Sequence, residues 1–382
     1  MKFKDKTLLI LTNSYPDEDN TYYGGIFVKE QVEYLKDYFK EVYIISPQPY
    51  GGRRGLRDYE YDNVRAYYPR FFHLPVEYFR RRLGDNFFKA ALKVINREGL
   101  TFDLVHAHFT WPSGYAGVKL GERFNVPVVI TIHENRDWLL REYNSKNRKI
   151  HWTWENADAL IRVNKRDITL LKEFNPNVFF VPNGFSPERL KTIKKESARE
   201  SLGLPKDNKI LFSLGVLIER KGFNYLIQAM SEVLKQRKDV LCFIGGSGPL
   251  KGKLQKQINE LGLQNHVKLL GFVPDDELYL WMNSADVFVL PSSSEGNPTV
   301  MFEALGVGLP FVGTTVGGVP EIITSEDYGL LCPPRDSKCL AEKILIALEK
   351  DWDRGKIRKY AEKFTWENIV DQILKIYAKI IG

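Results

Sequence analysis

Long apolar runs are missing from this chain. No stretch approaches the roughly eighteen apolar residues that a membrane-spanning helix needs, so none is expected. Cysteine is scarce. The three present, Cys242, Cys332 and Cys339, have no metal-ligand spacing, and an odd count without a disulfide framework fits a reducing cytoplasm. A secretory leader is not expected, because the apolar stretch Thr7–Thr12 behind the lysine-rich start is too short and wrongly flanked. Internal repeats and low-complexity tracts are also lacking. So is a third glycine after Gly24-Gly25 at GxGxxG spacing, which argues against a simple dinucleotide fold.

What is there describes a folded, soluble α/β protein. With 382 residues, 43% of them hydrophobic and 27% charged, the chain is too long for one ordinary core, and two domains are the default. The net charge of +7 is uneven: residues 51–100 hold eleven Lys/Arg against six Asp/Glu, together with ten Tyr and Phe. Such a basic, aromatic segment suits nucleic acid, an anionic membrane surface or an anionic acceptor.

Apolar strands alternate with helical patterns. Strands are expected at Thr7–Thr12, Glu41–Ser46, Leu104–Ala107, Val128–Ile132, Ala159–Val163 and Val178–Val181, with helices near Gly25–Leu35, Val76–Asn96 and Gly114–Glu122. Pro182-Asn183-Gly184 is turn chemistry. A charged helix is expected over Pro187–Ser201, after which the rhythm restarts. The second set of strands is Lys209–Leu214, Val240–Ile244, Val267–Leu270, Val287–Leu290, Pro310–Gly313 and Gly329–Leu331. This predicts two doubly wound domains, 1–186 and 187–365, each with a parallel sheet covered on both faces, and a ligand cleft at their interface. The amphipathic helix Trp366–Ile381 is expected to pack back on the first domain.

Chemistry concentrates after the strand Val287–Leu290. Glu295 falls in the following loop and Glu303 inside the next helix, for which Asn297 is the expected N-cap and Pro298 the first helical residue. Ligands of open α/β sheets bind outside the carboxyl ends of strands, where helix N–H groups attract anions. Two carboxylates in such a place either complement the helix dipole or accept sugar hydroxyls, and spacing alone leaves both readings open. Arg220 and Lys221 end the loop after Lys209–Leu214; Arg grips a phosphate bidentately and Lys adds a point charge, although two solvated loop charges are the plainer reading. Gly245-Gly246-Ser247-Gly248-Pro249 permits close backbone approach to a ligand.

Together these elements resemble the retaining glycosyltransferases of the GT-B fold, specifically family four, over almost the whole chain. The resemblance runs through Gly24-Gly25, Asp103–His108, Thr131-Ile132-His133, Val181–Gly184, Arg220-Lys221-Gly222, Gly245–Pro249, Leu270–Val273, Pro291–Glu295 and Gly317–Ile323. The Glu295-x7-Glu303 element, followed by Gly-Leu-Pro and Gly-Gly-x-Pro-Glu, is its most specific part. It implies two Rossmann-like domains and transfer of a hexose-type sugar, with retention, from a nucleotide-diphosphate donor to a glycan, lipid-linked or small-molecule acceptor. No metal and no cofactor are implied. By the same resemblance Glu303 takes the ribose diol and Glu295 the donor sugar. Arg220 and Lys221 neutralise the diphosphate with the backbone N–H groups of Thr299 and Val300. Gly25 approaches the phosphates from the other domain, His133 lies beside the sugar ring, and the backbone at Phe272 and Val273 meets the base. One common form of the family has Gly-Arg where Gly215-Val216 stands, so Arg220 is the expected guanidinium here.

Other readings remain. A GT-B-like sugar-nucleotide epimerase or phosphorylase would share the architecture, and a basic RNA-binding protein would use residues 51–100, although no nucleic-acid partner is expected. His106 and His108 share a strand face without a third metal ligand at suitable spacing. Asp17-Glu18-Asp19 and Asp351-Trp352-Asp353 read as solvated charge. Phe79, Leu83, Phe87, Ala90, Ala91 and Val94 recur at helical spacing among Arg80, Arg81, Arg82, Lys89 and Lys93. That pattern is a core-facing helix with a basic outer face, or else a peripheral contact through residues 51–97 with the inner membrane face.

Overall fold

Leu8 and Ile10 point to one side of the first strand and Leu9 and Leu11 to the other, and all four are fully buried in two separate apolar clusters. A strand buried on both faces must lie inside a sheet with helices above and below. The computed structural model, which describes residues 3–20, 22, 24–52, 55–73 and 80–381, has two such sheets. They belong to two compact units, Met1–Pro182 with Trp366–Gly382, and Asn183–Thr365.

In the first unit the strands are β1 (Thr7–Thr12), β2 (Glu41–Ile45), β3 (Gln48–Pro49), β4 (Tyr59–Tyr61), β5 (Val64–Tyr67), β6 (Arg70–Phe71), β7 (Leu104–His108), β8 (Val128–Ile132), β9 (Ala159–Arg162) and β10 (Val178–Phe180). Eight of them form one sheet in the order β10-β9-β8-β7-β1-β2-β5-β4, parallel except for the edge strand β4. The direction of winding reverses between β1 and β7. The hairpin β4–β5 and the short pair β3–β6 are absent from the sequence expectation.

In the second unit the strands are β11 (Lys209–Leu214), β12 (Val240–Gly245), β13 (Val267–Gly271), β14 (Val287–Leu290), β15 (Phe311–Thr314) and β16 (Gly329–Cys332). All pairings are parallel, in the order β13-β12-β11-β14-β15-β16. This is the 3-2-1-4-5-6 arrangement of a doubly wound dinucleotide-type fold, and its reversal lies between β11 and β14. Leu211, Ile244 and Val289 enter the cluster on one face, Phe212, Phe243 and Phe288 that on the other.

Of the expected helix Val76–Asn96, residues 76–79, Phe79 among them, lie outside the described residues, Arg80 is helical, Arg81 and Arg82 make a turn, and helix Leu83–Glu98 follows. Its Phe87, Ala90, Ala91 and Val94 are buried in the core. Pro187–Ser201 is helical only over Lys195–Ser201, because Pro187–Leu190 makes a turn instead, with Leu190 N donating to Pro187 O. Helices Arg136–Tyr143 and Arg148–Glu155 are additions.

Helix Trp366–Ile381 lays Trp366, Ile369, Val370, Ile373 and Tyr377 on the cluster formed by Leu8, Ile10 and Val129. Trp366 is 1% exposed and its indole N–H donates to Glu30 Oε2 at 2.9 Å. Truncating such a residue typically costs about 3–5 kcal/mol.

Candidate active site

The reversal of winding in the second unit gathers the residues expected to act. The loop after β11 carries Arg220 and Lys221 in a single 3-10 turn, Glu219–Lys221. The loop after β14 carries Glu295. Backbone contacts join the loops: Ser293 N donates to Arg220 O at 2.7 Å. Across this seam Lys221 Nζ lies 2.7 Å from Glu295 Oε1 and Arg220 Nη1 lies 3.0 Å from Oε2. Ser292 Oγ donates to Oε1 at 2.6 Å. Burial pushes the Glu295 carboxyl up, but the Lys221 and Arg220 charges and the hydrogen bonds outweigh it and hold it below the ordinary range. Glu295 is therefore a carboxylate at neutral pH, 5% exposed. Arg220 spends only Nη1 on these contacts, and its side chain is 41% exposed.

Helix Thr299–Gly306 follows, beginning with Thr299 and Val300. The expected cap is not made. Asn297 Oδ1 accepts instead from Asn183 N at 3.0 Å, and Pro298, with φ −73° and ψ 120°, occupies the cap position outside the helix. Asn297 is drawn away because it satisfies a buried backbone group 114 positions distant in the chain. No side chain caps the first turn, so its N–H groups remain available to a ligand.

Glu303 lies inside this helix and is buried. Its Oε1 accepts from Arg189 Nη1 at 2.5 Å, while Arg189 Nε pairs with Asp275. The sequence gives no sign of this arginine, whose partners are far away in the chain.

The glycine loop after β12 lies hard against the loop that follows β11. A Cβ on Gly246, at φ +133°, would lie 1.9 Å from Gly215 O, and one on Gly248 would meet the Leu217 backbone. Leu217 N donates to Ser247 O at 2.9 Å. The close approach is to the neighbouring loop, which it braces. Val273 is buried, whereas the Phe272 side chain is 53% exposed beyond β13.

In the first unit, His106 and His108 share a face of β7, and His133 follows β8. His106 Nδ1 is 2.5 Å from Tyr377 Oη, its Nε2 is 2.7 Å from Thr131 Oγ1, and His108 Nδ1 is 3.0 Å from His133 Nε2. Desolvation pushes His106 down to about 3, and burial, with smaller charge effects of His106 and Arg162, takes His133 to about 3. All of these rings are neutral at pH 7, His108 included. Among the described residues no group of three or more His, Cys, Asp or Glu side chains is placed to hold a metal ion. His133 also meets Phe27 at 4.6 Å between ring centroids. Gly25 ends the loop after β1 at the amino end of helix Ile26–Leu35. Its φ of +80° and the 2.1 Å from a Cβ to Ser14 O exclude a larger residue.

Residues 194–364 match the family described as Glycosyl transferases group 1, and residues 24–189 match Glycosyltransferase Family 4. An uncharacterized glycosyltransferase of Methanocaldococcus jannaschii is 31% identical over 301 residues, 72% of this chain and 75% of that protein. Among solved structures, sucrose-phosphate synthase from Thermosynechococcus elongatus superposes with a TM-score of 0.81 at 22% identity, over 98% of this chain and 99% of that one. Anabaena HepE in complex with UDP-glucose gives 0.73 at 20% identity, over 98% of this chain and 100% of that one.

Proposed function

This chain belongs to glycosyltransferase family 4, the group 1 glycosyl transferases, and we propose that it moves a hexose-type sugar from a nucleotide-diphosphate donor to a hydroxyl acceptor. Retention of anomeric configuration and independence of metal are part of the proposal. The observation that carries it is the meeting of Arg220 and Lys221 on the carboxylate of Glu295, in the loop that leads into the uncapped helix Thr299–Gly306. The site lies at the reversal point of a doubly wound sheet, where such folds bind phosphates. The HepE structure, of the same fold, holds UDP-glucose.

The bond between the sugar's anomeric carbon and the diphosphate oxygen breaks, and a bond to the acceptor oxygen forms as the acceptor's proton passes to the departing diphosphate. Positive charge grows on the ring, as in glycoside hydrolysis. Negative charge grows on the diphosphate, where the spare donors of Arg220, the Lys221 ammonium and the N–H groups of Thr299 and Val300 meet it. Donors fixed in advance are worth most where water is excluded, and losing one costs roughly 10²–10³ in rate. Glu295 keeps the two cations in place and offers its carboxylate to hydroxyls of the transferred sugar. Glu303 takes the ribose diol, and the backbone at Phe272 and Val273 meets the base. A glycan or lipid-linked acceptor fits the basic first unit. Because Phe87, Ala90 and Val94 are spent on the core, membrane contact there would be electrostatic, through Arg82, Lys89 and Lys93.

A thermal-shift screen against UDP-, GDP- and ADP-sugars tests the reading, since a ligand at a hundred times its Kd adds about 2.7 kcal/mol. No shift with any nucleotide, or full transfer by Lys221→Ala, overturns it.

A further inference from the structure

The carboxyl end of β16 and the start of helix Ser337–Glu349 bring two thiols together. Cys332 closes the strand at 1% exposure and belongs to the apolar cluster of Leu211, Val289 and Val312. Cys339, in the first turn of the helix, is only partly buried and packs on the same cluster. The Cys332 thiol makes a side-chain hydrogen bond with the Cys339 thiol. Burial above all, then Cys339 and the Asp336 carboxylate, pushes the Cys332 thiol up to about 12, with Lys343 opposing the rise. The third cysteine, Cys242, is fully buried inside β12, and burial alone pushes its thiol up.

The loop between Cys332 and Cys339 keeps the pair in register. Pro333 and Pro334 fix φ at two successive positions. Arg335 then turns the chain at φ +65°, in the left-handed region. Asp336 caps the helix, its Oδ1 accepting from Cys339 N at 2.9 Å. A segment held this way has little freedom left to lose when the sulfurs join, and two reacting groups held in contact behave as if at high concentration.

We propose that Cys332 and Cys339 form a reversible intramolecular disulfide, with a small-molecule disulfide as oxidant, that staples helix Ser337–Glu349 to β16. The oxidant meets Cys339 first, because Cys332 is covered. The Cys339 thiolate attacks one sulfur of the small disulfide, expels one thiolate and keeps the other half as a mixed disulfide. The Cys332 thiolate then attacks the Cys339 sulfur and expels the second thiolate. Both cysteine protons end on the leaving groups, so two thiols lose two electrons and the small disulfide becomes two thiols. Contact with Cys339 offsets the weak acidity of Cys332. The bond closes a loop of eight residues, which restricts the unfolded chain more than the folded one. It also bears on the strand ends beside the Glu295 loop. Thr315 N donates to Cys332 O at 2.9 Å, and the Thr314 hydroxyl donates to Ser292 O at 2.5 Å. The disulfide is independent of the transfer chemistry proposed above.

The test equilibrates the full chain with reduced and oxidised glutathione over a range of ratios, followed by denaturation, alkylation and peptide mass spectrometry. All three cysteines are expected to be alkylated in the reduced chain and Cys242 alone in the oxidised chain, with Cys332 and Cys339 in one linked peptide. Dithiothreitol is expected to restore all three. The oxidised chain is expected to melt about 5 °C above the reduced chain. Cys339→Ser, at the less buried of the two positions, is expected to fold normally and to lose both the linked peptide and the shift, while Cys242→Ala keeps both. Three free thiols at every ratio, glutathione left on Cys339 alone, or a bond to Cys242 or to a second chain overturns the proposal. So does a Cys332–Cys339 bond that leaves the melt unmoved or lowers it.

Discussion

Arg189 Nη1 donates to Glu303 Oε1 at 2.5 Å, so the carboxylate given to the ribose already carries a cation. A diol can share that oxygen or use the other, but in either case Arg189 fixes the geometry. Arg189→Ala is expected to weaken nucleotide binding about tenfold, in line with a hydrogen bond between charged groups, and to change kcat little. Nucleotide titration beside steady-state kinetics measures both. A large fall in kcat with unchanged affinity would contradict the assignment.

Lys221 and Glu295 allow a cleaner separation of stability from chemistry. Lys221→Ala leaves Glu295 buried with Arg220 as its remaining cation, and unfolding is expected about 1–3 kcal/mol earlier, short of the full cost of an orphaned buried charge. Adding Glu295→Gln should recover much of that loss without restoring transfer. Denaturant melts and donor-dependent assays on the single and double variants give the answer.

Three buried imidazoles set an acid limit. His106 and His133 titrate at about 3 in the folded chain against 6.5 when free, so the unfolded chain binds more protons between those values. Stability is expected to fall as pH drops from about 6.5 towards 3. His108→Gln should flatten the slope of unfolding free energy between pH 6.5 and 5, where carboxylates contribute least. An unchanged slope would mean that these rings do not drive the loss.

Glu142 works in the opposite direction. Burial, then the neighbouring Glu134 carboxyl, raises its pKa well above the ordinary range, so the folded chain gives up this proton at a higher pH than the unfolded chain does. That costs stability increasingly as pH rises above the free carboxyl value. Glu142→Gln is therefore expected to raise the melting temperature more at pH 8 than at pH 5, which thermal melts at the two values will register.

Much of the scaffold is legible in the sequence, for identifiable reasons. Strands such as β11 and β14 are continuous apolar runs closed by polar loops, and helix Trp366–Ile381 carries unbroken periodicity, so their bounds agree with expectation. The edge hairpin escapes because Tyr-Glu-Tyr is short and partly exposed, and Val-Arg-Ala-Tyr is only four residues long with a charge in its middle. Helix Arg136–Tyr143 escapes because its charges hide a buried face of Leu139 and Glu142. At the site, Arg220, Lys221 and Glu295 come together as their strand-end positions suggest. Asn297, Arg189 and Gly246 do not yield to the same reasoning. A cap signal, a lone arginine and a glycine loop each announce a contact without saying whether the other party is a ligand, a backbone group or a distant side chain.

The first unit is finished by helix Trp366–Ile381, whose Tyr377 reaches His106 and whose Trp366 reaches Glu30. During synthesis the apolar face around Leu8, Ile10 and Val129 therefore carries only part of its cover, helix Ile26–Leu35 included, until Trp366–Ile381 has emerged. The second unit, contiguous over Asn183–Thr365, is available to fold before the first is complete. The amino-terminal unit therefore gains its last covering helix only after the whole second unit has been synthesised.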